Sequence, residues 1–163
     1  MRLGLGGKFQ DSIVGDSKAK PTYGATLRWD RPVHDYVTTG VGFSFYSSQP
    51  EGDFREPAFD ISLMLKGRYP FEMGKRDRKF ESEIYLLLQI GLTIWIDSSS
   101  LTLELVGPGW NVGVSLGYQF FINNRVGLLA EVGWLRTEAF FSRGRSNVLL
   151  NQTHLLVGPV FPF

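Results

Sequence analysis

Apolar and polar side chains alternate along most of this chain with a period of two, the signature of strands whose two faces meet different surroundings. Clusters of Gly, Pro, Asn, Asp and Ser divide the alternation into eight stretches, at about 2–10, 22–30, 36–46, 58–69, 83–97, 110–121, 125–137 and 148–163. Sorting each stretch by face gives one wholly apolar set. It includes Leu3, Leu5, Leu27, Val41, Phe43, Ile61, Leu63, Leu65, Ile84 to Ile96 at even positions, Leu116, Leu128, Val132, Leu155 and Val157, and no charged residue. The other face carries Lys8, Arg28, Asp60, Lys66, Arg68, Gln89, Glu131 and His154, with Gly4, Gly6, Gly24, Gly40, Gly42, Gly113, Gly117, Gly133 and Gly158 between them.

Two architectures fit such a pattern, and they differ in which face looks inward. In a soluble barrel or sandwich the apolar set forms the core. In a membrane barrel it meets lipid, and the interior holds polar groups that satisfy one another. An eight-stranded barrel is only wide enough for side chains to fill it, and the apolar set here is too bulky for that space. The glycines point the same way, because on a water-facing surface they would weaken the strands, whereas inside a narrow barrel they make room for long charged neighbours. The expected fold is all-β, an eight-stranded antiparallel up-and-down transmembrane β-barrel formed by residues 1–163 as one domain, with the charged residues above as an interior polar network.

Aromatic residues fall near the strand ends. Trp29, Tyr69, Tyr118, Phe120, Phe161 and Phe163 at one rim, and Trp110 and Trp134 toward the other, are read as membrane-interface girdles. The connections 31–35 and 122–124 are short, whereas 11–21, 47–57, 98–109 and 138–147 are longer and polar. Short turns belong on the periplasmic side and long loops outside, so an even strand number places both termini in the periplasm. One connection breaks the rule: 70–82 is long, lies on the short-turn side and carries Lys75, Arg76, Arg78 and Lys79, which makes it a candidate contact for a periplasmic or envelope partner.

Composition narrows the reading. The 17 basic and 16 acidic side chains nearly balance, which argues against nucleic acid as a partner. Nineteen glycines and 14% aromatic residues suit many strands with tight turns. Without cysteine there is no disulfide framework, thiolate metal site or thiol nucleophile. The longest apolar stretch, Ile84 to Ile96, is shorter than the roughly 20 residues of a membrane-spanning helix. No charged leader and apolar signal core opens the chain, so it is read as a mature form, its signal removed, resident in the bacterial outer membrane.

Three stretches resemble the eight-stranded outer-membrane barrels typified by outer membrane proteins A and X. Gly113-Val-Ser-Leu-Gly-Tyr-Gln-Phe-Phe-Ile-Asn-Asn-Arg125 is similar to that family's penultimate periplasmic hairpin, and Leu128-Leu-Ala-Glu-Val-Gly-Trp134 to the strand after it. The end, with Leu155, Val157, Phe161 and Phe163 alternating, is similar to the signal by which the barrel-assembly machinery recognises its clients. Pro159 and Pro162 depart from that pattern, since each removes a donor from the closing ladder, and irregular closure is expected there.

The resemblance implies a non-enzymatic protein whose barrel anchors outer loops for envelope integrity or surface interaction, with lipopolysaccharide and the assembly machinery as partners. A small porin-like diffusion channel is the alternative, and a lipid-modifying enzyme is a further one. Lipid-modifying barrels need a histidine near a serine or acid at the outer, lipid-exposed end; His34 lies in a short turn and His154 projects inward, while Asp97-Ser98-Ser99-Ser100 has hydroxyls but no base. Against a soluble lipid-carrying barrel of the lipocalin kind, another alternative, stand the glycines of the polar face, the terminal Phe163 and the lack of a Gly-x-Trp near the first strand. Lys18, Lys20, Arg143 and Arg145 are candidate contacts for lipopolysaccharide phosphates. No metal or cofactor motif is present, so none is expected.

Overall fold

The computed structural model describes residues 1–14, 17–18, 22–48, 56–73, 80–97, 104–123, 125–139 and 148–163. Among them every regular element is a strand: β1 (Arg2–Val14), β2 (Ser17–Lys18), β3 (Thr22–His34), β4 (Val37–Ser48), β5 (Glu56–Met73), β6 (Phe80–Asp97), β7 (Glu104–Asn123), β8 (Val126–Ala139) and β9 (Val148–Pro162). β2 is a stub folded back on the end of β1 through Ile13↔Lys18 and Val14↔Ser17. The other eight pair antiparallel in the order β1-β3-β4-β5-β6-β7-β8-β9, and β1 also pairs β9. The sheet therefore closes on itself without a free edge, the one way a β-structure can satisfy its backbone inside hydrocarbon.

The faces separate as the alternation predicts. Outside stand Leu63 at 65% exposure, Ile90, Leu92, Leu86, Leu116, Val132 and Val157, all exposed. Aromatic pairs tie neighbouring strands on this face, with Phe45 and Phe59 at 4.8 Å and Phe9 and Tyr23 edge-on at 5.4 Å. An apolar surface this continuous is far larger than a water-soluble monomer shows. Inside, the side chains of Lys8, Asp60, Lys66, Glu131 and His154 are buried.

Several strands run further than the sequence predicts. β5 and β6 stay paired out to Met73↔Phe80, so most of the expected 70–82 connection is ladder rather than loop. β1 likewise runs to Val14 and β7 starts at Glu104. Beyond the apolar belt both faces meet polar surroundings, so the period-two signal fades while the backbone hydrogen bonds continue. Residues Lys75, Arg76, Arg78 and Lys79 lie outside the described residues, as do Lys20, Arg143, Arg145 and Ser98 to Ser100, while Lys18 is placed by its backbone alone.

The closing seam bears the mark of Pro159, whereas at Pro162 the ladder keeps its register, against the expected irregularity. β1 and β9 pair from Arg2↔Pro162 to Gly4↔Val160 and resume in the same register at Gly7↔Val157. The interruption falls at Leu5 and Gly6 opposite Gly158 and Pro159, where Pro159 has no N–H to give. The two strands approach closely there: a Cβ built on Gly158 would lie 1.8 Å from Leu5 O. Glycine is required at 158 by backbone contact.

Candidate functional site

The charged interior divides into three layers. The middle layer centres on Glu131 of β8. Arg28 of β3 grips its carboxylate with both Nη atoms, Nη2 donating to Oε1 at 2.8 Å and Nη1 to Oε2. Tyr85 of β6 donates its hydroxyl to Oε2 at 2.8 Å, and His154 Nε2 of β9 lies 3.2 Å from Oε1. Ser115 Oγ is 3.3 Å from the same Nε2. Space for this cluster comes from glycines on the same face: a Cβ on Gly117 would sit 2.1 Å from the Tyr85 ring, and one on Gly133 would sit 2.2 Å from Ser115 Oγ.

Toward the long-loop end lies the Asp60 layer. Thr93 Oγ1 donates to Asp60 Oδ1 at 2.6 Å and Tyr46 donates its hydroxyl to the same oxygen at 3.2 Å. Asn111 Nδ2 donates to Thr93 Oγ1 at 3.0 Å, and Ser62 Oγ donates to Asn111 Oδ1 at 3.2 Å. Lys8 Nζ stands 5.1 Å from the centre of the Tyr46 ring, within cation–π range.

Toward the short turns, Lys66 Nζ pairs with Asp30 Oδ2 and lies 3.8 Å from Glu83 Oε1. Glu83 also receives Arg2 Nη1 at 2.6 Å and Arg68 Nη1 at 3.3 Å. Arg2 reaches Gln119 Oε1 at 3.3 Å and lies 4.8 Å from the centre of the Phe121 ring.

Seven of the eight residues expected in the interior network thus fall into these layers. Gln89, the eighth, is half-buried and inward, 3.2 Å from a Cβ built on Gly113. Reading the sequence missed Arg2, Asp30, Glu83, Tyr46 and Tyr85. The signal was available for all five, which sit at positions of inward parity, but the first three lie at strand ends and the tyrosines read as apolar. The expectation that this face is only polar or small also needs correcting. Met64, Tyr85, Leu87, Leu129 and Leu156 form an apolar cluster inside the barrel. Next to it the lumen narrows to a cavity of about 10 Å³ between Gly4, Arg28, Met64, Lys66 and Leu129, space for about one water.

The girdle residues all face outward. Trp29, Tyr69, Trp134 and Phe163 are exposed, and Trp110, Tyr118, Phe120 and Phe161 are half-buried. Trp29 and Phe161 flank Leu3 in one cross-strand row, and Tyr69 and Tyr118 flank Ile84 in another, both toward the short turns. His34 lies in its exposed turn, where Tyr36 N approaches its Nδ1 at 3.4 Å.

No family model matches the chain, and no curated protein does. Solved structures match it over nearly its whole length. Neisserial surface protein A aligns with a TM-score of 0.74 at 11% identity, covering 99% of this chain and 96% of its own. The chain has the fold of the small eight-stranded outer-membrane barrels. Two further members of that fold agree. The outer membrane protein OprG from Pseudomonas aeruginosa aligns at 0.54 and 15% identity over 99% of this chain and 95% of its own, and the outer membrane enzyme PagL at 0.53 and 14% over the whole of both chains. The resemblance to outer membrane proteins A and X read from the sequence is therefore upheld at the level of the fold.

Proposed function

We propose that this protein is a non-enzymatic resident of the bacterial outer membrane whose barrel anchors its outer loops for envelope integrity or surface interaction. The observation that carries this reading is the filled lumen. Glu131, Asp60 and Glu83 each engage side chains from other strands, and the apolar cluster around Leu129 closes the space between layers. Charges buried in such a place are costly unless paired, and Arg28 with Glu131 and Lys66 with Asp30 are paired across strands, which fits a structural plug better than an ion path. Lipopolysaccharide around the belt, the assembly machinery at insertion, and a periplasmic or envelope partner are the partners proposed with it.

A second reading rests on the proximity of Ser115, His154 and Glu131, the side-chain types of an acyl-transfer triad. In such a triad the serine and the acid engage opposite ring nitrogens. Here both meet Nε2, Nδ1 has no hydrogen-bond partner among the described residues, and all three side chains are buried. That arrangement favours a structural role for His154.

Refolding from urea into detergent, then into lipid bilayers, tests the proposal. The expected results are a heat-modifiable band that forms only with detergent, no sustained ion conductance in planar bilayers, and no release of acyl chains from lipopolysaccharide. Steady conductance would replace the anchor with a channel. Hydrolysis abolished by His154→Ala would replace it with an enzyme.

A further inference from the structure

On the outward face a groove of about 360 Å³ crosses β1, β3, β4 and β5. The register shows how it arises. One cross-strand row reads Gly7, Ala25, Phe45 and Phe59. The row on its short-turn side, Leu5, Leu27, Phe43 and Ile61, is bulky throughout, and on the long-loop side Phe9 stands edge-on to Tyr23. Ala25 is therefore a gap among large neighbours. Its methyl group is the floor, the short-turn row is one wall, and the rings of Phe45 and Phe59, 4.8 Å apart, close the end. The β1 side stays open at Gly7, where a Cβ would meet nothing within 4 Å.

The groove is apolar although polar residues border it. Asp60 turns its carboxylate inward to Thr93 and Tyr46, and Thr26 and Ser44 hydrogen-bond to each other inside the barrel. Its depth identifies the leaflet. On β3 the outward series is Tyr23, Ala25, Leu27 and Trp29, with Trp29 at the short-turn girdle, and on β4 Phe45 is the last apolar member before Ser47. The groove thus lies toward the long-loop end of a belt roughly 25 Å tall, on the side of the outer leaflet. No water is at hand to fill it there, and an empty groove forfeits the dispersion contacts of its walls. The hydrocarbon that already covers the rest of the belt is what can fill it. Flat rings and an alanine floor suit a straight chain, and a cis double bond would bend a chain out of contact.

We propose that this groove seats one saturated acyl chain of lipopolysaccharide, the glycolipid of the outer leaflet. Lipid A carries several saturated chains on one headgroup, so one can turn into the groove while the others stay packed along the belt, and the contacts add within a single molecule. Such a seat rests on the outer-membrane reading above and adds to it the lipid's place of contact.

The test uses the refolded full chain in nanodiscs of dioleoyl phosphatidylcholine doped with either lipid A or dimyristoyl phosphatidylcholine. Native mass spectrometry reads the lipids retained per barrel, and nuclear Overhauser contacts read which chain methylenes touch the Ala25 methyl. The expected result is retention of lipid A about fivefold above the saturated phospholipid, the scale of a modest packing gain within hydrocarbon, with its chains in contact with Ala25. Ala25→Phe, which fills the groove, is expected to abolish the preference. Leu116→Phe, on the exposed belt of β7 away from the groove, is expected to leave it unchanged. Equal retention of the saturated phospholipid would overturn the proposal, as would a preference that survives Ala25→Phe or a dimer that Ala25→Phe dissolves, which would give the groove to a second copy of the chain. A folded, heat-modifiable barrel without lipid preference overturns the seat alone, whereas failure to form that band in detergent overturns the outer-membrane reading itself.

Discussion

Glu131 receives Arg28 from β3, Tyr85 from β6 and His154 from β9, so four strands converge on one buried carboxylate. Removing it leaves a buried guanidinium without its counter-charge, and breaking such a pair costs about 3–5 kcal/mol. Glu131→Ala is therefore expected to lower stability by that amount in urea unfolding from lipid vesicles. The double variant Arg28→Met, Glu131→Leu is expected to lose less than Glu131→Ala alone, because no charge is stranded. A cost below about 1 kcal/mol for Glu131→Ala, the range of exposed pairs, would mean that water reaches this layer. The inward direction of Arg28 and Glu131 was readable from parity. Their partnership was not, since 103 residues separate them and only barrel closure brings them together.

At the level of the strand, the seam between β1 and β9 is the sensitive joint. Gly158→Val would drive a side chain into Leu5 O, where a Cβ already falls 1.8 Å away. The expected outcome is loss of the heat-modifiable folded band. Gly7→Ala is the matched control on the same seam, because a Cβ there meets nothing within 4 Å, and its folded band is expected to persist. Equal behaviour of the two variants would contradict the close approach. The sequence marked Pro159 as an irregularity, since proline's missing donor is a local property. It placed Gly158 on the inward face and Gly7 on the outward one, but it did not show how near the opposite strand comes at 158. Strand ends were misread for a related reason: Glu72 and Glu81 extend the β5–β6 ladder where no lipid enforces alternation.

The barrel as a whole makes one demand that a soluble β-protein would not, that its outer belt remain apolar. Leu63→Arg places a cation on that belt, and near a bilayer midplane this is expected to cost about 2–4 kcal/mol on folding into lipid vesicles. On a water-facing surface the same change would fall within about 0.5 kcal/mol of neutral. The measurement therefore tests the orientation of the two faces. The packing inside the barrel belongs to the same scale. Leu87 and Leu129 read in isolation as ordinary strand residues of the inward face, and only the ring of eight strands brings them together with Met64 and Leu156 in one buried apolar cluster.

Alternation by itself determined the class of fold, the number of long strands and the direction of nearly every side chain, because a period of two follows from strand geometry and needs no partner to be read. Tertiary structure decided everything that depends on which strands are neighbours across the barrel. It set the pairing of Glu131 with Arg28, the sharing of Glu83 between Arg2 and Arg68, and the close contact at Gly158. These contacts join residues far apart in the chain, and their energies arise only when closure removes both partners from water and leaves each as the other's nearest charge.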